Sequence, residues 1–149
     1  PHLDALAASG RRFTDFHTNG PVCSPTRAAL LTGRYQQRSG ITGVVFADPA
    51  RGHREHHGLP AAEITFAEVL REAGYRTGLI GKWHLGYAEK FNPRHHGFDV
   101  FRGYVSGNVD FHSHVDGAGY LDWWDGTKLR DEPGYVTHLV TRHAVRFLE

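Results

Sequence analysis

Residues 65–86 read Thr-Phe-Ala-Glu-Val-Leu-Arg-Glu-Ala-Gly-Tyr-Arg-Thr-Gly-Leu-Ile-Gly-Lys-Trp-His-Leu-Gly, and this stretch decides the fold. Thr65 and Glu68 have the spacing of a capping box, in which each side chain satisfies a backbone N–H at the start of a helix. Phe66, Val69, Leu70 and Ala73 follow at the i, i+3, i+4, i+7 positions of one helical face, and Gly74 supplies the stop. Tyr75–Ile80 then reads as a short buried strand that runs into Gly81-Lys82-Trp83-His84-Leu85-Gly86. A helix followed at once by a strand predicts an α/β layer.

Upstream, Pro1–Ser9 is helical in composition, with Leu3, Leu6 and Ala7 on one face and Gly10 as its stop. Arg12–His17 alternates loosely and suits a strand, and Thr18-Asn19-Gly20-Pro21 is turn chemistry. In Cys23-Ser24-Pro25-Thr26-Arg27, Ser24 is a good N-cap and Pro25 a good first helical residue. Ala28–Leu31 carry that helix and Gly33 ends it, which places Cys23 just before a helix N-terminus. Gln36–Pro60 is rich in Gly, Arg and His and reads as a surface loop. Downstream, Tyr87–Pro133 is long, aromatic and without a clear period. Compact domains rarely carry such a loop without a functional reason or hidden short strands. Tyr135–Glu149 is helical, with Val136, Leu139, Val140, His143 and Phe147 on one face.

Composition narrows the function. The 149 residues carry 17 Lys and Arg against 16 Asp and Glu, a net charge of +1, so no basic field points to nucleic acid. Hydrophobic residues are 40% and charged ones 22%, which is globular. No apolar run approaches the roughly 18 residues of a membrane span. The single Cys forms no intrachain disulfide. The chain begins with Pro and ends inside a helical pattern, so it is expected to be a fragment, with no view of any signal peptide.

Cys23 draws the chemistry. A helix N-terminus presents free N–H groups and about half a positive charge, which favours anions. Arg27, four residues on, can fold back to the same end of the helix. Together they suit a tetrahedral oxyanion beside a reactive side chain; a small buried thiol beside a solvated arginine is the plainer reading.

Cys23-Ser24-Pro25-Thr26-Arg27 followed by Ala28-Ala29-Leu30-Leu31-Thr32-Gly33-Arg34-Tyr35 resembles the signature of the type I, formylglycine-dependent sulfatases of the alkaline-phosphatase superfamily. Gly81-Lys82-Trp83-His84-Leu85-Gly86 resembles their second signature, with support from Pro1–Phe16 and Gly97-Phe98-Asp99. The resemblance is weakest in Val44–Leu59 and Ala118–Glu132. It implies an α/β fold with a mixed, largely parallel sheet sandwiched by helices, here incomplete. Residues 1–149 would be the N-terminal part of a single catalytic domain, with flanking parts missing at both ends. It implies a hydrolase of aryl or carbohydrate sulfate monoesters, an arylsulfatase in the broad sense; the fragment alone is expected to be inactive.

The resemblance further implies that Cys23 is oxidised to Cα-formylglycine by a formylglycine-generating enzyme that reads Cys23, Pro25 and Arg27. The hydrated aldehyde attacks sulfur with one hydroxyl, and the other then expels sulfate, so one hard step becomes two easier ones. Arg27 matches the arginine that holds the diol, Lys82 the lysine that touches diol and sulfate, and His84 the histidine bonded to the second hydroxyl. One Ca²⁺ is implied, with Cys23 the only family ligand in this chain. The family's upstream Asp pair would precede Pro1, and the remaining metal and catalytic residues would follow Glu149. Compartment follows by resemblance only, as periplasmic or secreted.

Other residues carry less. Lys82 and His84 are two apart, so an extended segment puts them on one face with Trp83 opposite. The twelve His invite a zinc reading, but His53, His56 and His57 lie in a Gly/Arg loop. His95 and His96 are adjacent rather than helically spaced, and most His are expected to be exposed. Gly107–His114 resembles a segment lining the substrate pocket of some sulfatases, which makes His114 a substrate-contact candidate. Asp110 and Asp116 read as turn residues, Trp123 and Trp124 as a local cluster, and Arg11, Arg12, Arg34 and Arg38 as surface. A formylglycine-dependent phosphonate or phosphate ester hydrolase is the near alternative, and an inactive, truncated sulfatase-like binding module the non-enzymatic one. A cysteine-dependent phosphatase would need five residues between Cys and Arg, and three stand here.

Overall fold

A computed structural model describes residues 1–47 and 53–149, and the side chains of His53 and Arg54 lie outside the description. The elements run α1 (His2–Ser9), α2 (Cys23–Thr32), α3 (His53–His56), α4 (Phe66–Glu72), β1 (Gly78–Lys82), β2 (Val100–Tyr104), β3 (Trp124–Asp125), β4 (Lys128–Leu129) and α5 (Val136–Leu148).

The capping box of α4 forms as its sequence dictates: Thr65 accepts from the Glu68 N–H while the Glu68 carboxylate accepts from the Thr65 N–H at 2.8 Å. Thr65 Oγ1 also donates to the His96 carbonyl, tying the helix start to the chain beyond β1. The stripe does not bury as its periodicity predicts. Phe66, Val69 and Leu70 are exposed and Ala67 is the buried residue, because this helix packs by its small side against Gly97. With Leu30 and Ile64 the exposed residues form an apolar groove.

The expected strand at Arg12–His17 is absent; those residues are exposed, and no strand among the described residues supplies ladder partners. Helix α2 starts two residues earlier than its cap signal suggests. Val22 is the N-cap, and Ser24 Oγ instead accepts from the Val45 N–H. Pro25 is tolerated inside the first turn because its missing N–H would have had no partner there. Gly33 ends α2 at φ +64, as its position predicts.

The sheet is mixed. Its order is β1-β2-β3-β4, with β1 and β2 parallel and the other two pairings antiparallel, so the parallel character rests on one pair among the described residues. Strand β1 begins three residues later than Tyr75 and runs through Lys82, which moves Lys82 onto the strand's carboxyl end. At Gly81 and Gly103, which face each other in register, the backbones approach closely: a Cβ on Gly103 would stand 2.0 Å from the Gly81 carbonyl oxygen. Strands β2, β3 and β4 all fall inside Tyr87–Pro133, which the sequence leaves irregular.

Ala28, Ile41, Val45, Leu59, Trp83, Leu85 and Phe101 form the main core, so the 36–60 stretch is partly internal rather than wholly surface. Trp83 is 1% exposed, donates Nε1 to the Phe91 carbonyl and packs on His96 and Phe98. Val109, Trp123, Val136 and Leu139 make a second cluster under α5, with Val136, Leu139 and His143 of the expected face buried. No helix among the described residues is long and apolar enough to cross a membrane.

Candidate active site

The carboxyl ends of the parallel strands meet the start of α2, and there the two signature segments converge. The Cys23 Sγ lies 3.0 Å from Nδ1 of His84, across 61 residues of sequence. On the other side of the ring, Nε2 lies 2.9 Å from the Val45 carbonyl oxygen. A carbonyl only accepts, so Nε2 carries the proton and Nδ1 presents its lone pair to the sulfur. The backbone helps to hold this pose: His84 sits at φ +56, with its N–H bonded to the Val105 carbonyl. Trp83 points into the core between Lys82 and His84, as alternation requires.

His84 is 3% exposed, and burial pushes its pKa down to about 4, with the Lys82 charge pushing the same way. It is therefore a neutral base at physiological pH. Arg27 Nη1 donates to the Lys82 carbonyl at 2.7 Å, which locks the helix to the strand end rather than bonding Cys23 directly. Burial lowers the Arg27 and Lys82 pKa values, while Cys23 favours the charged form of both. Two cations and one neutral acceptor thus surround Cys23, an arrangement that stabilises negative charge developing there.

Cys23, Lys82 and His84 open into a cavity of about 660 Å³, whose other walls include Phe46, Tyr87, Ser106–Asn108 and Asp116–Ala118. The Ser106–Asn108 turn is held by Asp122, a buried carboxylate that accepts from the Val105 and Ser106 N–H groups. A Cβ on Gly107 would stand 2.9 Å from the His84 ring, so only glycine lets this turn back the imidazole. Asp122 is unmarked in the sequence, whereas Gly107 and Asn108 belong to the Gly107–His114 segment expected at a pocket wall, and both line this cavity. An isolated Asp before two tryptophans carries no signal without the fold that brings it under Val105.

His114 does not join this group. It is 1% exposed, its Nε2 bonds the Gly134 carbonyl, and its ring lies against Trp123 at 5.1 Å. Its neighbour Asp116 lines the cavity instead. Asp110 and Asp116 both serve as turn acceptors, and Arg34 pairs with Glu63, as their positions suggest. Among the described residues His2, His17, His56, His95, His112 and His138 are exposed, as expected of most histidines, while His84, His96, His114 and His143 are buried.

No group of three His, Cys, Asp or Glu side chains converges among the described residues. Around Cys23 the nearest charges are cationic. These residues fit an anion and do not by themselves fit Ca²⁺; only residue 23, once it carries oxygen in place of sulfur, offers an atom of the kind that ion takes.

His96 explains part of how the Lys82–His84 segment is held. Its ring is fully buried at 5.5 Å from Trp83, with both ring nitrogens unbonded, and burial pushes its pKa to about 4. His84 and His96 are thus neutral in the fold, while free histidine titrates near 6.5. Between these values the unfolded chain binds the extra protons, so folding stability is full above about pH 6.5 and falls as pH drops towards 4. The expected loss is on the order of 3 kcal/mol per histidine. Urea unfolding at pH 7 and pH 5 should read about 2 kcal/mol of it per histidine, and His96→Phe should flatten part of the slope.

A thiol set against a neutral imidazole, with two cations closing on it at the carboxyl edge of an α/β sheet, forms a site suited to an anion. The chain belongs to the Sulfatase family, whose profile matches residues 1–149. It is 51% identical over 102 residues to arylsulfatase G of Canis lupus familiaris, covering 68% of this chain and 18% of that protein. It is 51% identical over 105 residues to arylsulfatase A of Bos taurus, covering 69% and 20%. The chain therefore spans about a fifth of the length of these relatives. Among solved structures it resembles Ps i-CgsB at TM-score 0.84 and 31% identity, covering 99% of this chain and 35% of that one. The complex of Ps i-CgsB with k-i-k-neocarrahexaose superposes at TM-score 0.81 with 30% identity, covering 98% and 35%.

Proposed function

We propose that the chain is the N-terminal portion of a catalytic domain that hydrolyses sulfate monoesters of aryl or carbohydrate alcohols. The observation that carries this reading is the 3.0 Å approach of Cys23 Sγ to the unprotonated nitrogen of His84, between Lys82 and Arg27. Its support is family membership together with relatives described as arylsulfatases and a structural neighbour solved in complex with k-i-k-neocarrahexaose.

The sulfur stands where an oxygen of formylglycine hydrate would stand. Converted in that way, residue 23 supplies a geminal diol, one hydroxyl for attack on sulfur and the other for release of sulfate. Lys82 then faces the ester oxygens, neutralising charge that grows as the alcohol leaves. Arg27 stabilises the diol from the helix side and fixes Lys82 through its carbonyl. His84 Nδ1 takes a proton from the oxygen in the sulfur's place, and the Val45 carbonyl keeps the ring in the tautomer that can do so.

The partner this requires is a formylglycine-generating enzyme. Ser24 and Pro25 are buried and Arg27 is bonded inward, so the folded segment is not readable, and conversion precedes folding. An exported site of action, periplasmic or secreted, goes with that reading.

The test is turnover by the enzyme that carries this chain, converted at residue 23, on matched aryl sulfate and aryl phosphonate esters. Faster hydrolysis of the sulfate supports the assignment. Preference for the phosphonate would move it to the phosphonate and phosphate hydrolases, and inactivity on both would leave a binding module.

A further inference from the structure

We propose that Asp116 is a selectivity residue: the cavity takes an ester with one sulfate on an otherwise uncharged alcohol, and it disfavours a second negative group on that alcohol. The inference rests on the sulfate-ester reading and names its substrate class.

Among the described lining residues the cavity has one fixed cation, Lys82, and one carboxylate, Asp116; His84 is neutral. Lys82 lies against Cys23 and is committed to the reacting sulfate. No described cation lining the cavity remains to meet a second anion.

The carboxylate is a fixed feature of the wall. Oδ1 of Asp116 accepts from the Ala118 N–H at 2.9 Å and the Tyr120 N–H at 3.0 Å. The Asp116 N–H donates to the Tyr120 carbonyl, and Asp116 pairs with Val109 across an isolated bridge. Both side-chain bonds fall on Oδ1, which leaves Oδ2 to act on the cavity. A void of 660 Å³ is roughly 11 Å across if spherical, comparable with the screening length at physiological salt. A second anion held inside the cavity therefore lies within about one screening length of Asp116 and feels its charge only partly screened. Unfavourable contacts of this kind set specificity as much as favourable ones do.

The rest of the wall suits an uncharged partner. Phe46 is 59% exposed, and with Val44 it offers an apolar face on which a flat ring can lie. Ser106 and Asn108 add neutral polar groups.

The experiment compares kcat/KM for an aryl sulfate and for the same aryl sulfate bearing a non-hydrolysable ring sulfonate, in the converted enzyme that carries this chain. Asp116→Asn keeps an Oδ1 acceptor for the Ala118 and Tyr120 N–H groups and removes only the charge. It is expected to shift the ratio towards the sulfonated ester by about tenfold. Asn108→Asp adds a carboxylate to the wall and is expected to shift it the other way. Both shifts should shrink as salt is raised. With the unsubstituted enzyme active on the plain ester, a ratio unchanged by both variants, or a shift indifferent to salt, overturns the inference. An unsubstituted enzyme that hydrolyses neither ester overturns the sulfate-ester reading and the inference with it.

Discussion

Cys23→Ser is expected to lower multiple-turnover sulfate-ester hydrolysis by about 10⁴-fold or more, with the fold retained. Residue 23 opens α2 and is partly exposed, so exchanging sulfur for oxygen disturbs no core contact. Serine gives the modifying enzyme no thiol to oxidise. A serine that did attack sulfur would be left as a sulfate ester, with no second hydroxyl to expel the anion. The surrounding cations would still bind sulfate, because Arg27 and Lys82 take their positions from backbone geometry rather than from the thiol. Steady-state assays alongside circular dichroism read both halves of the prediction: activity lost, spectrum kept. Near-normal turnover with serine would remove residue 23 from the chemistry.

His84→Asn is expected to reduce kcat by 10²- to 10⁴-fold, the range of a positioned acid or base. Asparagine is chosen for physical reasons. It tolerates the left-handed backbone found at φ +56 and is small and uncharged, so the chain around residue 84 keeps its path. What it lacks is the Nδ1 lone pair aimed at residue 23. The pH dependence separates this role from support of the fold. Protonation near pH 4 removes that lone pair in the unsubstituted enzyme, so activity should fall as pH drops through about 4. In the variant the residual activity should lack that limb. Lys82→Ala is expected to cost about 10²- to 10³-fold, the scale of one donor lost from an anion site. An unaltered acid limb in His84→Asn would place the base elsewhere.

Much of the site was legible because its two segments are local. Cys23 to Arg27 lies within two turns of one helix, and Lys82 and His84 straddle a strand end, so each half announces itself by spacing. What joins them is not local. The Val45 carbonyl that sets the His84 tautomer and the Gly107 turn behind its ring belong to segments with no periodic pattern. His114 shows the converse: it follows the 111–113 turn with a left-handed backbone at φ +56, and nothing in the sequence says that the Trp123 cluster would claim its ring. For the fold, the α4 cap and the α5 face followed from sequence, because capping chemistry and 3.6-residue periodicity are intrinsic to a helix. Strand β2 did not. Val-Phe-Arg-Gly-Tyr carries a glycine whose purpose, a backbone approach to Gly81, exists only once the parallel pair has formed. The burial of α4 failed for a related reason: its periodicity marks an apolar face without saying what covers it.

The proposed chemistry stands on residue 23 becoming an aldehyde that His84, Lys82 and Arg27 then serve. Mass spectrometry of the peptide containing Cys23, from chain co-produced with a formylglycine-generating enzyme, tests this directly. The predicted result is the mass change of a thiol replaced by an aldehyde, with a hydrazine-reactive carbonyl at residue 23, lost when Arg27 is replaced by alanine. A free, unmodified thiol throughout, under conditions that convert a control peptide, would contradict it.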